Sequence, residues 1–292
     1  MDGVTECWTK VTADLNLLPD EGVCIDILHA AGRHGLPELA SDVLRVLKVM
    51  GASLQEYHFA ALIDAFCHAG QIKDAFMTLS SMRSADLVPI ATSTSSIFDI
   101  ISKDVDALDS AWSIVEEITK EGHQIDVAVL NAIIKAAVAL GEQQHAMGIY
   151  KMFAEYNTKP TLETFNTLLL GCIATSHREL GDRILADMKE AKVKPDAQTY
   201  ENIIQLCLTQ ETYEDAFFYL EEMKARKHRP TYNVYSTLIL KCHSMGDTRS
   251  RLAAEEMMEC GYVPSRSLRE AIGGTSFDRN RWQMRSDEGA DF

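Results

Sequence analysis

The chain contains no apolar run near the roughly 18 residues that a membrane-spanning helix requires. Its 292 residues include only 7 prolines and 16 glycines, too few for a loop-rich all-β fold. The 7 cysteines (Cys7, Cys24, Cys67, Cys172, Cys207, Cys242, Cys260) are odd in number and never closely paired. They read as reduced intracellular thiols rather than a disulfide framework. Catalytic signatures are missing too: there is no Gly-x-x-x-x-Gly-Lys phosphate loop, no His-Glu-x-x-His, no Cys-x-x-Cys and no Gly-x-Ser-x-Gly elbow. The 9 histidines fall without ligand spacing. No enzyme activity, metal, cofactor or small-molecule substrate is therefore expected. Positive charge is also short, with 28 Lys and Arg against 43 Asp and Glu, a net charge of −15. That balance argues against a protein that coats duplex DNA through bulk charge, but it leaves room for a local basic strip. The first eight residues carry two acids and no Arg, unlike a secretory signal or an organellar transit peptide.

What the chain does have is a 46% hydrophobic content, enough for a substantial core and too much for a disordered chain. It also has a period. Pro19, Pro89, Pro160, Pro195, Pro230 and Pro264, with Leu54 and Ile125 filling the gaps, step along the chain by 34 to 36 residues. An apolar pair recurs at the same interval: Ile27-Leu28, Leu62-Ile63, Ile97-Phe98, Ile133-Ile134, Leu168-Leu169, Ile203-Ile204 and Leu238-Ile239. Turn glycines (Gly35, Gly70, Gly141, Gly246), small residues (Ala40, Ala75, Ala146, Gly181, Ala216) and bulky ones (Leu47, Met82, Phe153, Met188, Met223) form further columns. Such a period marks a repeat array rather than one closed domain.

Each unit divides into two amphipathic helices, as in Thr164–Ala174 and Tyr213–Ala225. The first begins just after the proline. The second ends in a basic turn before the next proline, which cannot continue a helix. The small residue lets the two backbones approach closely. Neither helix buries its apolar face alone, so neighbours must stack into a solenoid, on the order of 70 Å long at about 10 Å per packed helix layer.

Residues 162–196 read LETFNTLLLGCIATSHRELGDRILADMKEAKVKPD, opening on Phe165-Asn166-Thr167-Leu168 and closing on Met188…Lys194-Pro195-Asp196. This unit resembles a pentatricopeptide repeat, and residues 56–90 and 197–231 are similar. A tetratricopeptide repeat would place a glycine in the middle of the first helix, where this chain has Ile63, Ile134, Leu169, Ile204 and Ile239. The resemblance covers residues 21–265 and implies a P-type, pure-repeat organellar protein. The expected fold is all-α, a right-handed α-solenoid superhelix of about seven two-helix repeats. The units are 21–55, 56–90, 91–126, 127–161, 162–196, 197–231 and 232–265. The third holds one extra residue, with a degenerate turn expected at Asp104–Asp109. Residues 1–20 are expected to be a partial repeat, with 5–18 as a second helix lacking its first, which would fit a longer natural N-terminus. Residues 266–274 are expected to cap the array and 275–292 to be a disordered tail.

The resemblance further implies binding of single-stranded RNA in mitochondria or chloroplasts, one base per repeat, read by a few side chains. Two positions per unit matter: the polar residue after the aromatic column, and the last residue after the proline. The pairs with reading potential are Asn166 with Asp196 (for uridine), Ser95 with Asp126 (for guanine), Asn131 with Thr161 (for a pyrimidine), and Ser236 with Ser265. Ile25 with Gln55, Ala60 with Ile90 and Glu201 with Thr231 imply no specificity. The family's aliphatic base-sandwiching position holds Gly22, Tyr57, Thr92, Ala128, Glu163, Gln198 and Asn233, and of these only Tyr57 could stack a base. The last-residue column has a second explanation. Asp20, Asp126, Thr161, Asp196, Thr231 and Ser265 are all N-cap types, and a cap is worth about 1 kcal/mol without any ligand. Asn131 and Asn166 are harder to explain structurally, because Asn is a poor helix former.

Basic residues cluster at two turns: Lys189, Lys192 and Lys194, then Lys224, Arg226, Lys227, His228 and Arg229. A phosphate-following strip of Lys189, Lys192, Lys194, Arg226, Lys227 and Arg229 is expected, beyond what complementing helix dipoles needs. Cys172, Cys207 and Cys242, spaced 35 apart, read as small core residues. Two functions follow. One is a non-catalytic single-stranded RNA binder in mitochondrial RNA metabolism or translation. The other is a protein-binding scaffold, such as an assembly factor or ribosome-associated subunit, favoured by the −15 charge and by the acidic residues Asp64, Asp99, Glu163 and Glu201.

Overall fold

The computed structural model describes residues 2–15 and 17–271. Among them, every regular element is helical. Helix α1 (Asp2–Thr9) continues as a π-helical stretch, Lys10–Asp14. The helix therefore starts and stops earlier than the expected 5–18. Seven helix pairs follow: α2 (Glu21–His34) with α3 (Pro37–Val49), α4 (Glu56–His68) with α5 (Ile72–Ser84), and α6 (Ala91–Ile101) with α7 (Val105–Lys120). Next come α8 (Val127–Ala139) with α9 (Gln143–Met152), α10 (Leu162–Ala174) with α11 (Arg178–Glu190), α12 (Ala197–Leu208) with α13 (Glu214–Ala225), and α14 (Tyr232–Ser244) with α15 (Arg249–Glu259). A short α16 (Arg266–Ala271) closes the described chain. The expected tail at 275–292, and the last residues of the expected cap, lie outside the described residues.

Side chains at the repeat boundaries start the first helices. Asp20 accepts a hydrogen bond from Val23 N at 3.0 Å, and Asp196 accepts from Thr199 N at 2.8 Å. A second column answers from inside the helix. Ser93 Oγ accepts from Ile90 N at 3.0 Å, Thr164 Oγ1 from Thr161 N at 2.9 Å, Thr199 Oγ1 from Asp196 N at 3.2 Å, and His58 Nδ1 from Gln55 N at 2.9 Å. Together these satisfy amides that a helix start leaves open. Gly35, Gly70, Gly141 and Gly246 end their helices in the left-handed region that glycine enters without strain. The expected turn at Asp104–Asp109 is shorter. Asp104 accepts from Ala107 N at 2.7 Å, so the following residues already form the first turn of α7. The extra residue of that unit is absorbed in a longer second helix.

Contacts divide the chain into two compact units, residues 1–171 and 172–292. In unit 1, first helices pack on first helices, α2 on α4, α4 on α6 and α6 on α8, with second helices beside them. Trp8 of α1 is buried against Cys24, Leu28 and Leu39, and its indole N–H donates to Asp42 at 2.8 Å. In unit 2, α12 packs on α14 and α14 on α16. The small-residue column is buried throughout, and at Gly181 an added Cβ would collide with the Leu206 side chain. Leu47, Met82, Phe153, Met188 and Met223 are buried as well. Each such side chain is worth about 1.5–3 kcal/mol of transfer free energy. Cys172, Cys207 and Cys242 are buried thiols without disulfides, and burial pushes Cys172 and Cys207 up to about 11. These are core residues, as their spacing suggested.

Candidate nucleic-acid interface

The expected base readers differ in what they touch. In unit 1, Asn131 is only 3% exposed and fully engaged. Its Nδ2 donates to Thr161 Oγ1 and to Glu163 Oε2, both at 3.2 Å, while its Oδ1 accepts from Thr164 Oγ1 at 2.6 Å. The structure thus brings Asn131 and Thr161 together, in a network that ties α8 to the start of α10. Asp126 is buried too. It caps α8 through Ala128 N at 2.9 Å, and it holds Arg83 in a two-pronged ion pair, Nε at 2.8 Å and Nη2 at 3.1 Å. That pairing raises the Arg83 pKa, chiefly through the hydrogen bonds it donates to Asp126. Asn131 and Asp126 were both expected to read a base. Instead their hydrogen-bonding groups are spent inside the protein, because a carboxylate or amide in a tight helix junction must be satisfied there. Ser95 is exposed, and its hydroxyl donates to the Thr92 carbonyl at 2.8 Å. No hydrogen bond joins Ser95 to Asp126 among the described residues.

Other acidic residues of unit 1 are partly engaged as well. Ser96 Oγ donates to the Asp64 carboxylate, and Thr92 and Ser93 each donate to Glu56 at 2.7 Å. Asp99 and Tyr57 are exposed. An open cleft of about 430 Å³ lies beside the Arg83–Asp126 pair, walled by Ser80, Ser81, Ser84 and His123.

Of the pair Asn166 and Asp196, each is half-buried, and Asp196 caps α12. In unit 2, Ser236 Oγ donates to the Asn233 carbonyl at 3.0 Å, and Ser265 Oγ accepts from Leu268 N at 3.3 Å. These two are not joined to each other among the described residues. Glu201 is half-buried, and desolvation raises its pKa against a hydrogen bond with Thr231.

The expected phosphate strip separates into two classes. Arg226 pairs with Glu222 at 2.9 Å, and Arg229 donates to the Cys260 carbonyl with its guanidinium 4.9 Å from the Tyr262 ring centroid. Lys224, beside them, is held by Glu221 at 2.5 Å and Glu256 at 2.9 Å. These three knit the repeat together. Lys189, Lys192, Lys194 and Lys227 are exposed. None of those four side chains has a hydrogen-bond or ion-pair partner among the described residues.

One feature of these turns escaped the reading of the sequence. Two residues past the second helix φ is positive in six of the seven pairs, at Gly51 (78°), Asp86 (59°), Gly122 (85°), Lys192 (56°), Lys227 (65°) and Gly261 (83°), and Asn157 (52°), five residues past α9, completes the same column. Gly, Asn and Asp suit the left-handed region, whereas a longer side chain there costs roughly 1–2 kcal/mol. The signal was present in the sequence as another column at the same spacing, ending two unit-2 helices on lysine.

A family model described as pentatricopeptide repeat-containing protein matches residues 21–153, and a pentatricopeptide repeat domain model matches residues 183–245. The mitochondrial pentatricopeptide repeat-containing protein 1 of Rattus norvegicus is 25% identical over 121 residues, 40% of this chain and 18% of its own length. A chloroplastic pentatricopeptide repeat-containing protein of Arabidopsis thaliana is 25% identical over 134 residues, 46% of this chain and 20% of that protein. The chain thus spans about a fifth of the length of these curated relatives. Among solved structures, the pentatricopeptide repeat protein PPR10 in complex with an 18-nt psaJ RNA element aligns with a TM-score of 0.54 at 18% identity. That alignment covers 98% of this chain and 42% of the other. The repeat domain of Arabidopsis thaliana protein-only RNase P 1 in complex with tRNA aligns with a TM-score of 0.51 at 15% identity, over 65% of this chain and 96% of that one. At these identities the likeness is one of fold.

Proposed function

The chain belongs to the pentatricopeptide repeat family, and we propose that it is a non-catalytic, P-type protein that binds single-stranded RNA in mitochondrial RNA metabolism or translation. It would act by occupying a transcript, to protect it, direct its processing or recruit other factors. The observation that carries this reading is the set of exposed cations without partners, Lys189, Lys192, Lys194 and Lys227, ending two consecutive repeats of unit 2. Cations that the fold has not neutralised are what a phosphodiester backbone needs. Asn166 with Asp196, supported by Ser236, Ser265 and Ser95, supplies polar groups for base edges, the first pair suited to uridine. Asn131, Thr161 and Asp126 serve the fold instead, and Arg226 and Arg229 position the turn rather than grip phosphate. On this reading the seven repeat units run between residues 21 and 265. Mitochondrial and chloroplastic relatives, and a structural neighbour solved with an RNA element, support the same reading.

The test is selection of a random single-stranded RNA pool on purified protein, followed by sequencing. The expected result is a retained pool with an enriched uridine that disappears on Asn166→Ala. Recovery at background level, even at low salt, would overturn the reading. Unit 1 favours a second one, a protein-binding scaffold. It carries 11 Lys and Arg against 23 Asp and Glu, a net −12, whereas unit 2 carries 17 against 20, a net −3. Such an excess suits a basic protein partner better than RNA.

A further inference from the structure

Three structural explanations exist for a residue that sits past the end of a helix, and none accounts for Lys192 or Lys227. The first is packing. At Gly51 and Gly122, the same position in other repeats, an added Cβ would meet nothing within 4 Å, and Lys192 and Lys227 are themselves exposed. The second is ion pairing, which neither lysine has among the described residues. The third is complementing the helix dipole, which Lys189 and Lys224 already do from within the last turns of α11 and α13.

The backbone argues against lysine at both places. Positive φ recurs here in every repeat, and five of the seven repeats fill it with Gly, Asn or Asp, the residue types that enter the left-handed region most readily. Lysine does not, so each of the two is held in a conformation it disfavours. Residues kept in such conformations without a packing reason concentrate where function requires them.

We propose that Lys192 and Lys227 are the phosphate-gripping residues of unit 2, one per repeat, kept at the expense of fold stability. This rests on the RNA-binding reading above and sharpens it. The ligand chemistry is the phosphodiester backbone of a single strand, bound without regard to sequence. Base choice is left to Asn166, Asp196 and their neighbours. Lysine suits the role as a flexible point charge able to follow a mobile backbone, where an arginine fork would demand a fixed geometry.

Binding and stability should consequently move in opposite directions. The experiment measures affinity for an unstructured uridine-containing RNA across a salt series, and melting temperature, for the full chain and for Lys192→Gly/Lys227→Gly. A second variant, Lys192→Asn/Lys227→Asn, copies the residue at Asn157 and guards against added chain flexibility. The expected result is a loss of about ten-fold or more in affinity at moderate salt. The log–log salt slope should fall in magnitude by about 1.4, since each single-strand phosphate contact contributes about 0.7. The melting temperature should be unchanged or higher. Wild-type binding with both variants within two-fold of it would overturn the inference while leaving the RNA reading intact. A melting temperature that falls in both variants would also overturn it, because the lysines would then be stabilising. Absence of wild-type binding even at low salt would overturn the RNA reading, and the inference with it.

Discussion

The two compact units share one repeat geometry and differ in where they place charge. Unit 1, with a net −12, turns its polar groups inward: Asp126 onto Arg83, Asn131 onto Thr161, Glu163 and Thr164, and Glu56 onto Thr92 and Ser93. Its left-handed turns are Gly51, Asp86, Gly122 and Asn157, residues suited to that backbone. Unit 2, with a net −3, leaves Lys189, Lys192, Lys194 and Lys227 exposed and sets two of them in the left-handed position. On the proposed reading, the same structural column serves stability in one unit and ligand in the other. The chemical type of a residue at a reading position does not decide which; its bonding partners do.

The largest test of this contrast is charge reversal. Changing Lys189, Lys194 and Lys227 to Glu should weaken single-stranded RNA binding on the order of 100-fold or more at moderate salt. The same change at the exposed unit-1 lysines Lys48, Lys103 and Lys151 should shift affinity by only a few-fold. Fluorescence anisotropy with one labelled oligonucleotide would compare them, and equal losses would break the contrast.

Next in size is Arg83→Ala. It strips the partner from a carboxylate whose side chain is 6% exposed, while Arg83 itself is 45% exposed. Breaking a buried pair costs about 3–5 kcal/mol, and discounting for the solvated guanidinium leaves about 2–3. Denaturant unfolding should show that loss, with RNA affinity within two-fold of wild type. Asn131→Ala should come third, at about 1–3 kcal/mol, since Glu163 and the threonine hydroxyls lose their partner at a buried junction. An affinity loss larger than its stability loss would restore Asn131 as a base reader.

The smallest effect concerns His58, which is fully buried and accepts from Gln55 N through Nδ1. Burial lowers its pKa, with His29 acting in the same direction and Glu21 opposing. The folded state therefore favours the neutral ring, and the unfolded chain binds the extra proton. This contribution is complete above the unfolded value of about 6.5 and is lost as pH falls through the depressed folded value. Melting temperatures measured from pH 7.5 down to 5 should fall more steeply for wild type than for His58→Thr. Threonine can make the same cap, as Thr164 and Thr199 do. Parallel curves would contradict the assignment.

The helices were largely legible because capping, turn glycines and apolar pairs are local properties repeated at a fixed interval. The helix starts at Glu21, Glu56, Ala91, Val127, Leu162, Ala197 and Tyr232 are the positions the proline ladder marked. The turn expected over Asp104–Asp109 is shorter because Asp104 is itself an N-cap, and the residues after it are already helical. The site was less legible. Asn131 and Asp126 carry the right chemistry at the right spacing, yet their partners Thr164 and Arg83 lie 33 and 43 residues away, beyond what periodicity alone can pair. The reverse held for Lys192 and Lys227. Their column was visible, but its meaning depends on a backbone angle that composition does not encode.

The most direct test of the central claim, that unit 2 carries the phosphate contact, is ultraviolet crosslinking of the full chain to a uridine-rich single strand. Crosslinked peptides would then be identified by mass spectrometry. The account predicts crosslinks concentrated between residues 166 and 236, and their loss in high salt. Crosslinks confined to residues 21–161, or none above an unfolded-protein control, would contradict it.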